Sequence, residues 1–205
     1  MNSDQIKSAI KEIELCSEKA ANSVKAPLLN ADLQAYKNFL NMMYHYTLTS
    51  GDKLAVAAKK APNEELKSFF DHMFKEERYH YKLAEQDLKG FGLKPDSQTP
   101  EVVSKFNKFW ESLGNGHFNG YLGALYVFEN IADKVGGEIK DLLSRLNVTE
   151  KQRRWLSIHV EADEEHGSLI SDLLKKYIGD NTQAAIDAAK EAQKRWSEIM
   201  VTAFA

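Results

Sequence analysis

Apolar residues return at helical spacing along the whole chain, and this pattern limits the fold more than any other feature. Residues 3–23 carry Ile6, Ile10, Ile13 and Leu15 among charges, and residues 31–60 set Leu33, Tyr36, Leu40 and Met43 on one stripe. Only 11 Gly and 4 Pro punctuate the 205 residues, too few for a turn-rich all-β fold. Pro62 fits the first turn of a third helix, with Asn63 and Glu64 beside it. That helix runs to about Lys89 and stops at Gly90 and Gly92. The stretch LKPDSQTP reads as the clearest loop. Thr99-Pro100-Glu101 then starts a short helix that ends near Gly114. NGHFNG breaks the chain before a long apolar helix over about 119–145. Thr149 with Gln152 makes a capping box for a sixth helix, which ends at Gly179-Asp180, and an Ala-rich helix over about 182–203 closes the chain. The expectation is an all-α protein of about seven helices in one domain over residues 1–205.

Charge and composition narrow the function classes. A net charge of -3 gives no electrostatic reason for a nucleic-acid or membrane-surface partner. No apolar run approaches the roughly 20 residues of a membrane span. The N-terminus, MNSDQIKSAIKEIEL, lacks the apolar core of a signal peptide, and the single Cys16 cannot form an internal disulfide. These features lead us to expect a cytoplasmic protein.

Three segments could carry chemistry. In His159-Val160-Glu161-Ala162-Asp163-Glu164-Glu165-His166, a turn of about 100° per residue puts Asp163 roughly 40° from His159 and His166 roughly 20° to the other side. Leu156 before them and Leu169, Ile170 and Leu173 after them suggest that this face meets the core. Two imidazoles and a carboxylate there would need a strong partner such as a metal ion. A solvated acidic face whose histidines happen to align reads equally well. Glu77-Arg78-Tyr79-His80 has the Glu-x-x-His spacing of di-metal bundles, yet many exposed helices share it, and Glu76 and Arg78 read as surface charges. Glu129 follows Leu122, Leu125, Tyr126, Val127 and Phe128, so it is either buried and paired or set on a narrow exposed strip with Asn130, Asp133 and Lys134. Together the segments offer Glu77, His80, Glu129, His159, Asp163 and His166. Carboxylate and imidazole donors suit iron or manganese, whereas a structural zinc site would more often use thiolates.

With these motifs the sequence resembles the haem-oxygenase-like di-iron oxidases, iron-containing redox relatives of haem oxygenase and thiaminase-II. The likeness spans about residues 30–200. It is carried by His159-x-x-x-Asp163-x-x-His166, by YLGALYVFENIADKVGGEI with Glu129, and by EERYHYKLAEQDLKGFG with Glu77 and His80. The Glu-x-x-His spacing is like that of the long-chain-alkene-forming decarboxylase branch. HVEADEEH looks like the corresponding run of the chlamydial death-domain-associated protein, whose branch makes p-aminobenzoate.

The resemblance implies a haem-oxygenase-like bundle whose six side chains hold two Fe(II) ions, with O2 as co-substrate. The implied partner is a small amino-acid-like or fatty-acid-like substrate, and a homodimer is left open. Haem is not expected, because no histidine precedes His45. The mid-chain nucleophilic cysteine of thiaminase-II and the N-terminal tyrosine of the p-aminobenzoate branch also lack counterparts. Tyr44, His45, Tyr46, His72 and Phe118 are candidate pocket residues beside the blander reading of core packing. Arg78, Arg153 and Arg154 are candidate carboxylate binders. The competing classes are a metal-free interaction protein on the same scaffold and, with no nucleophile motif to support it, a hydrolase.

Overall fold

A computed structural model describes residues 3–204, apart from the side chains of Ser3, Asp133, residues 161–165 and Asp180. Its described residues form ten α-helices: α1 (Ser3–Asn30), α2 (Leu33–Thr47), α3 (Ser50–Lys60), α4 (Glu64–Glu77), α5 (His80–Gly90), α6 (Glu101–Gly114), α7 (Phe118–Glu129), α8 (Ala132–Arg145), α9 (Arg154–Tyr177) and α10 (Thr182–Phe204). The chain is all-α, as expected, but the expectation of about seven helices is corrected to ten. Three long helices of the sequence reading are each cut in two, at Leu48–Thr49, Arg78–Tyr79 and Asn130–Ile131.

None of these cuts contains Gly or Pro, so their causes lie in side chains and tertiary partners. Before the first cut, Thr47 Oγ1 donates to Met43 O at 2.7 Å, a back-bond that bends helices. At the third, buried Ser17 of α1 offers its hydroxyl to the carbonyls of Val127 and Asn130 at 3.4 and 3.3 Å. Asn130 Nδ2 donates to Tyr126 O at 2.8 Å. The carbonyls released where the ladder stops are thereby kept bonded.

Helix starts follow the expected chemistry. Asn63 caps α4 by accepting from Leu66 N at 2.9 Å, and Asp32 caps α2 from Ala35 N at 2.8 Å. The Thr149–Gln152 capping box is present, but it closes a single 3₁₀ turn, and α9 starts only at Arg154. That start is capped from outside: buried Asp87 of α5 accepts Arg154 N at 3.0 Å and Trp155 N at 2.9 Å.

The Ala-rich composition of α10 lets the apolar α7 come very close. Ala185, Ala188, Ala189 and Ala192 are buried, and a Cβ on Gly123 of α7 would stand 2.3 Å from Ala185 O. Helices α1, α6 and α9 also pack against α7, so the C-terminal end of α7, with Glu129, is held inside the bundle. No helix of the described residues is long and apolar enough to cross a membrane.

Candidate metal centre

The site forms where two helix cuts face α9. Glu77 ends α4 and His80 begins α5, so the pair straddles the Arg78–Tyr79 cut. His80 Nδ1 lies 2.8 Å from Glu77 Oε2, and both side chains are about 15% exposed or less. The contact lacks hydrogen-bond geometry, so this buried nitrogen has no hydrogen-bond partner. His159 of α9 joins them. Its ring lies 4.8 Å from that of His80, and the ligand atoms of Glu77, His80 and His159 all lie within 4.8 Å of one another.

His159 is fixed from behind. Its Nδ1 donates to Trp155 O at 2.7 Å, and its ring stacks on Trp155 with centroids 3.8 Å apart. The bond to the carbonyl leaves the other ring nitrogen, Nε2, unprotonated and free to ligate. Burial pulls the His159 pKa down to about 4, so the ring is neutral at pH 7. For Glu77, burial acts upward, but the close approach and charge of His80 and the nearby His159 and His166 outweigh it and hold the carboxyl below its ordinary range.

A second group stands beside the first. His166 Nδ1 lies 3.1 Å from Glu129 Oε2, and its Nε2 lies 2.7 Å from Glu76 Oε2, while His72 Nε2 approaches the same Glu76 oxygen at 3.5 Å. His72, Glu76 and His166 again place ligand atoms within 4.8 Å of one another. The Glu129 bond, with support from Glu76, drives the His166 pKa up to about 10, so an imidazolium bridges two carboxylates. Burial raises Glu129, the His166 bond opposes this, and the Glu77 charge raises it further. Gly167 permits the close approach of α9 to α7 here, since a Cβ would meet Glu129 O and Asn130 Oδ1 at 3.2 Å.

Five of the six expected site residues therefore come together in two neighbouring groups: Glu77, His80 and His159 in one, His166 and Glu129 in the other. The sixth, Asp163, lies outside the described side chains. Glu129 takes His166 as its partner, and Lys134 is exposed. Of the bracketing residues, Leu156, Ile170 and Leu173 are buried as expected, but Leu169 is 41% exposed. Glu76, read from sequence as a surface charge, is exposed as expected, and from the surface it also reaches His166 in the second group. A charged residue beside another charged residue offers no periodic signal, and only the crossing of α9 reveals its role.

A cavity of about 130 Å³ adjoins these side chains, lined by Glu77, Glu129 and His159 and by a largely apolar wall that includes Met73, Tyr121, Leu125 and Trp196. Tyr46 lines it, but the other candidate pocket residues do not. Tyr44 packs on Tyr81, Phe118 on Phe70, and His45 Nδ1 pairs with Thr99 Oγ1 at 3.2 Å. Arg78 is exposed over Phe74 and Tyr79, and Arg154 bonds Gln86. Cys16 is buried in α1 off the cavity wall, with burial pushing its thiol pKa up. The donor set fits iron: imidazole nitrogens and carboxylate oxygens converge, one nitrogen is buried without a hydrogen-bond partner, and another is oriented by a backbone carbonyl.

The model of the iron-containing redox enzyme family matches residues 37–197, and the protein belongs to that family. Among solved structures, a Shewanella denitrificans domain of unknown function with a heme oxygenase-like fold is similar at a TM-score of 0.82 and 17% identity, over 99% of this chain and 92% of that one. A TenA homologue from Pseudomonas syringae pv. tomato is similar at 0.76 and 9% identity, covering 96% and 91%. A CADD-like protein of unknown function from Nostoc punctiforme gives 0.65 and 17%, covering 98% and 96%. The protein thus has a haem oxygenase-like fold. No curated protein is significantly similar to it.

Proposed function

We propose that the protein is a non-haem di-iron oxidase that uses O2 to oxidise a small organic substrate. The observation that carries this reading is the pair of adjacent His/carboxylate groups that border a mostly apolar cavity through Glu77, Glu129 and His159. Glu77, His80 and His159 would hold one iron, and His166 and Glu129 the other, with Glu76 and Asp163 as further donors. Two ferrous ions bound there would supply the electrons that activate O2.

The chain's own part is to hold, orient and dry the site. The Trp155 carbonyl fixes the His159 tautomer. Glu76 and Glu129 are positioned to take the charge of the second metal once His166 gives up its ring proton. The cavity wall excludes water from a substrate placed next to Glu77 and Glu129. The Glu77–His80 spacing favours a decarboxylase-like branch, while the cavity volume favours a compact substrate over a long chain.

Anaerobic reconstitution with ferrous iron tests the proposal. About two irons per chain, with O2 consumption dependent on them, are expected. One observation favours the metal-free interaction protein: the His166 imidazolium already balances charge between Glu76 and Glu129. A chain that takes up no iron under these conditions would establish that alternative and remove the oxidase.

A further inference from the structure

Lys53 has no part in the chemistry described so far, and its placement is unusual. It lies on α3 just beyond the Leu48–Thr49 cut, is 6% exposed, and lines the same cavity as Glu77 and Glu129. An ammonium has three donors. Here Nζ has a single hydrogen-bond acceptor, Asn107 Oδ1 at 2.8 Å, and its charge lies over the Tyr46 ring at 5.1 Å from the centroid. No carboxylate of the described residues lies within ion-pair distance; Glu111 and Asp52 act on it only through space. Asn107 is itself fixed, since its Nδ2 donates to His45 O at 3.2 Å, so Oδ1 stays turned to Lys53. Burial drives the Lys53 pKa down to about 7. A buried cation with spare donors and no counter-ion is costly. A methionine would fill the same space in this apolar wall without that cost.

We propose that Lys53 anchors the acidic end of the substrate, so that the cavity takes a compact organic carboxylic acid whose apolar body extends past Tyr46 toward Glu77 and Glu129. This rests on the reading of the cavity as the substrate chamber of the metal centre. One lysine charge balances one carboxylate but leaves a phosphate dianion half neutralised, so the chemistry selects the monoanion. The size follows from the volume. An engineered apolar cavity of about 150 Å³ accepts benzene, so about 130 Å³ suits a short acid.

Hexanoate and hexan-1-ol are the matched probes, equal in chain length and different in charge. Their affinities are measured by calorimetry on the protein as purified and again after anaerobic ferrous loading. Hexanoate is expected to bind at least about tenfold more tightly than the alcohol. Lys53→Met should bring the acid down to the alcohol's affinity, leave the alcohol within about threefold of wild type, and keep the iron content. A second measurement needs no variant. At pH 8 the acid should draw a proton onto Lys53, so its binding heat should follow the ionisation enthalpy of the buffer, and the alcohol's should not.

Equal affinities for the two probes, binding of neither, or an acid preference that survives Lys53→Met would overturn the anchor. The last result would point to the iron as the carboxylate's partner. Failure of the metal reading is seen separately. A protein without iron uptake that keeps a Lys53-dependent acid preference retains the anchor and loses the oxidase, and the opposite result does the reverse.

Discussion

Removing the Asp87 carboxylate should weaken the fold and the site together, by an amount that depends on pH. Asp87 is fully buried, and its two oxygens accept the first free N–H groups of α9 at 3.0 and 2.9 Å. One residue of that same turn supports His159 in two ways: Trp155 stacks on its ring and accepts its Nδ1 hydrogen. Asp87→Ala leaves a buried donor, Trp155 N, and a half-buried one, Arg154 N, unsatisfied, at about 1–3 kcal/mol for the buried one and less for the other. Burial also pushes the Asp87 pKa from 3.8 up to about 6, which corresponds to at most about 3 kcal/mol of cost for the ionised form. The folded protein then holds this proton more tightly than the unfolded chain, so stability from this group falls as pH rises between 3.8 and about 6. At pH 7, relief of that cost offsets part of the loss, and Asp87→Ala should cost about 1–3 kcal/mol in urea unfolding. Asp87→Asn, which keeps one acceptor without charge, should lie within about 1 kcal/mol of wild type. Relative to Asp87→Asn, wild type should lose stability between pH 4 and pH 7 by at most about 3 kcal/mol. The Ala variant should also take up less iron than the Asn variant. A difference between wild type and Asp87→Asn that stays flat over this pH range would refute the burial argument. An Ala variant within about 0.5 kcal/mol of wild type would refute the cap.

Other perturbations test separate parts of the structure. Glu129→Ala strips the His166 imidazolium of one of its two carboxylates, so the metal-free protein should lose about 1–3 kcal/mol by thermal or urea unfolding. The same variant should no longer bind two irons, and full iron loading would remove Glu129 from the ligand set. Gly123→Ala would drive a methyl to 2.3 Å from Ala185 O, and should cost about 3 kcal/mol or more because backbone has to move; an unchanged melting temperature would contradict the close α7–α10 approach. For Lys53, whose pKa is about 7 against 10.5, the folded chain binds fewer protons than the unfolded one between those values. Wild type should therefore gain stability relative to Lys53→Met as pH rises from 7 to 10.5, with Glu111 and Asp52 limiting the gain; parallel pH profiles would show that Lys53 is solvated.

The fold was legible where local chemistry sets it. Helical periodicity identified the helices, and Asn63, Gly90 and Pro100 stand at element ends in both sequence and structure. The three helix cuts were not legible, because Leu48-Thr49, Arg78-Tyr79 and Asn130-Ile131 contain no residue that breaks a helix by itself. The first follows a Thr47 back-bond, and the third meets Ser17, which comes from more than a hundred residues away in the chain. Within the site, Glu77 and His80 could be paired from their spacing, and His159 and His166 from a shared helix face. Which carboxylate each histidine meets required the crossing of α9 with α4 and α7. That crossing brings in Glu76 and gives Glu129 His166 in place of Lys134.

The cuts themselves join the two ends of the proposed chemistry. An unbroken helix through residues 64–90 would carry Glu77 and His80 on one continuous surface, with Arg78 and Tyr79 in the same ladder. The cut instead ends one helix at Glu77 and starts another at His80, so the two side chains come from separate helix termini. The cut after Glu129 does the same for α7, ending it where α9 passes with Gly167 against Glu129 O. The first cut separates α2 from α3, and Lys53 of α3 lies on the cavity wall. Each cut forfeits intrahelical hydrogen bonds that the sequence could have formed, a cost of order 1 kcal/mol per bond. The interruptions fall at residues that line the cavity or belong to the proposed metal centre, in keeping with the proposed role of the bundle.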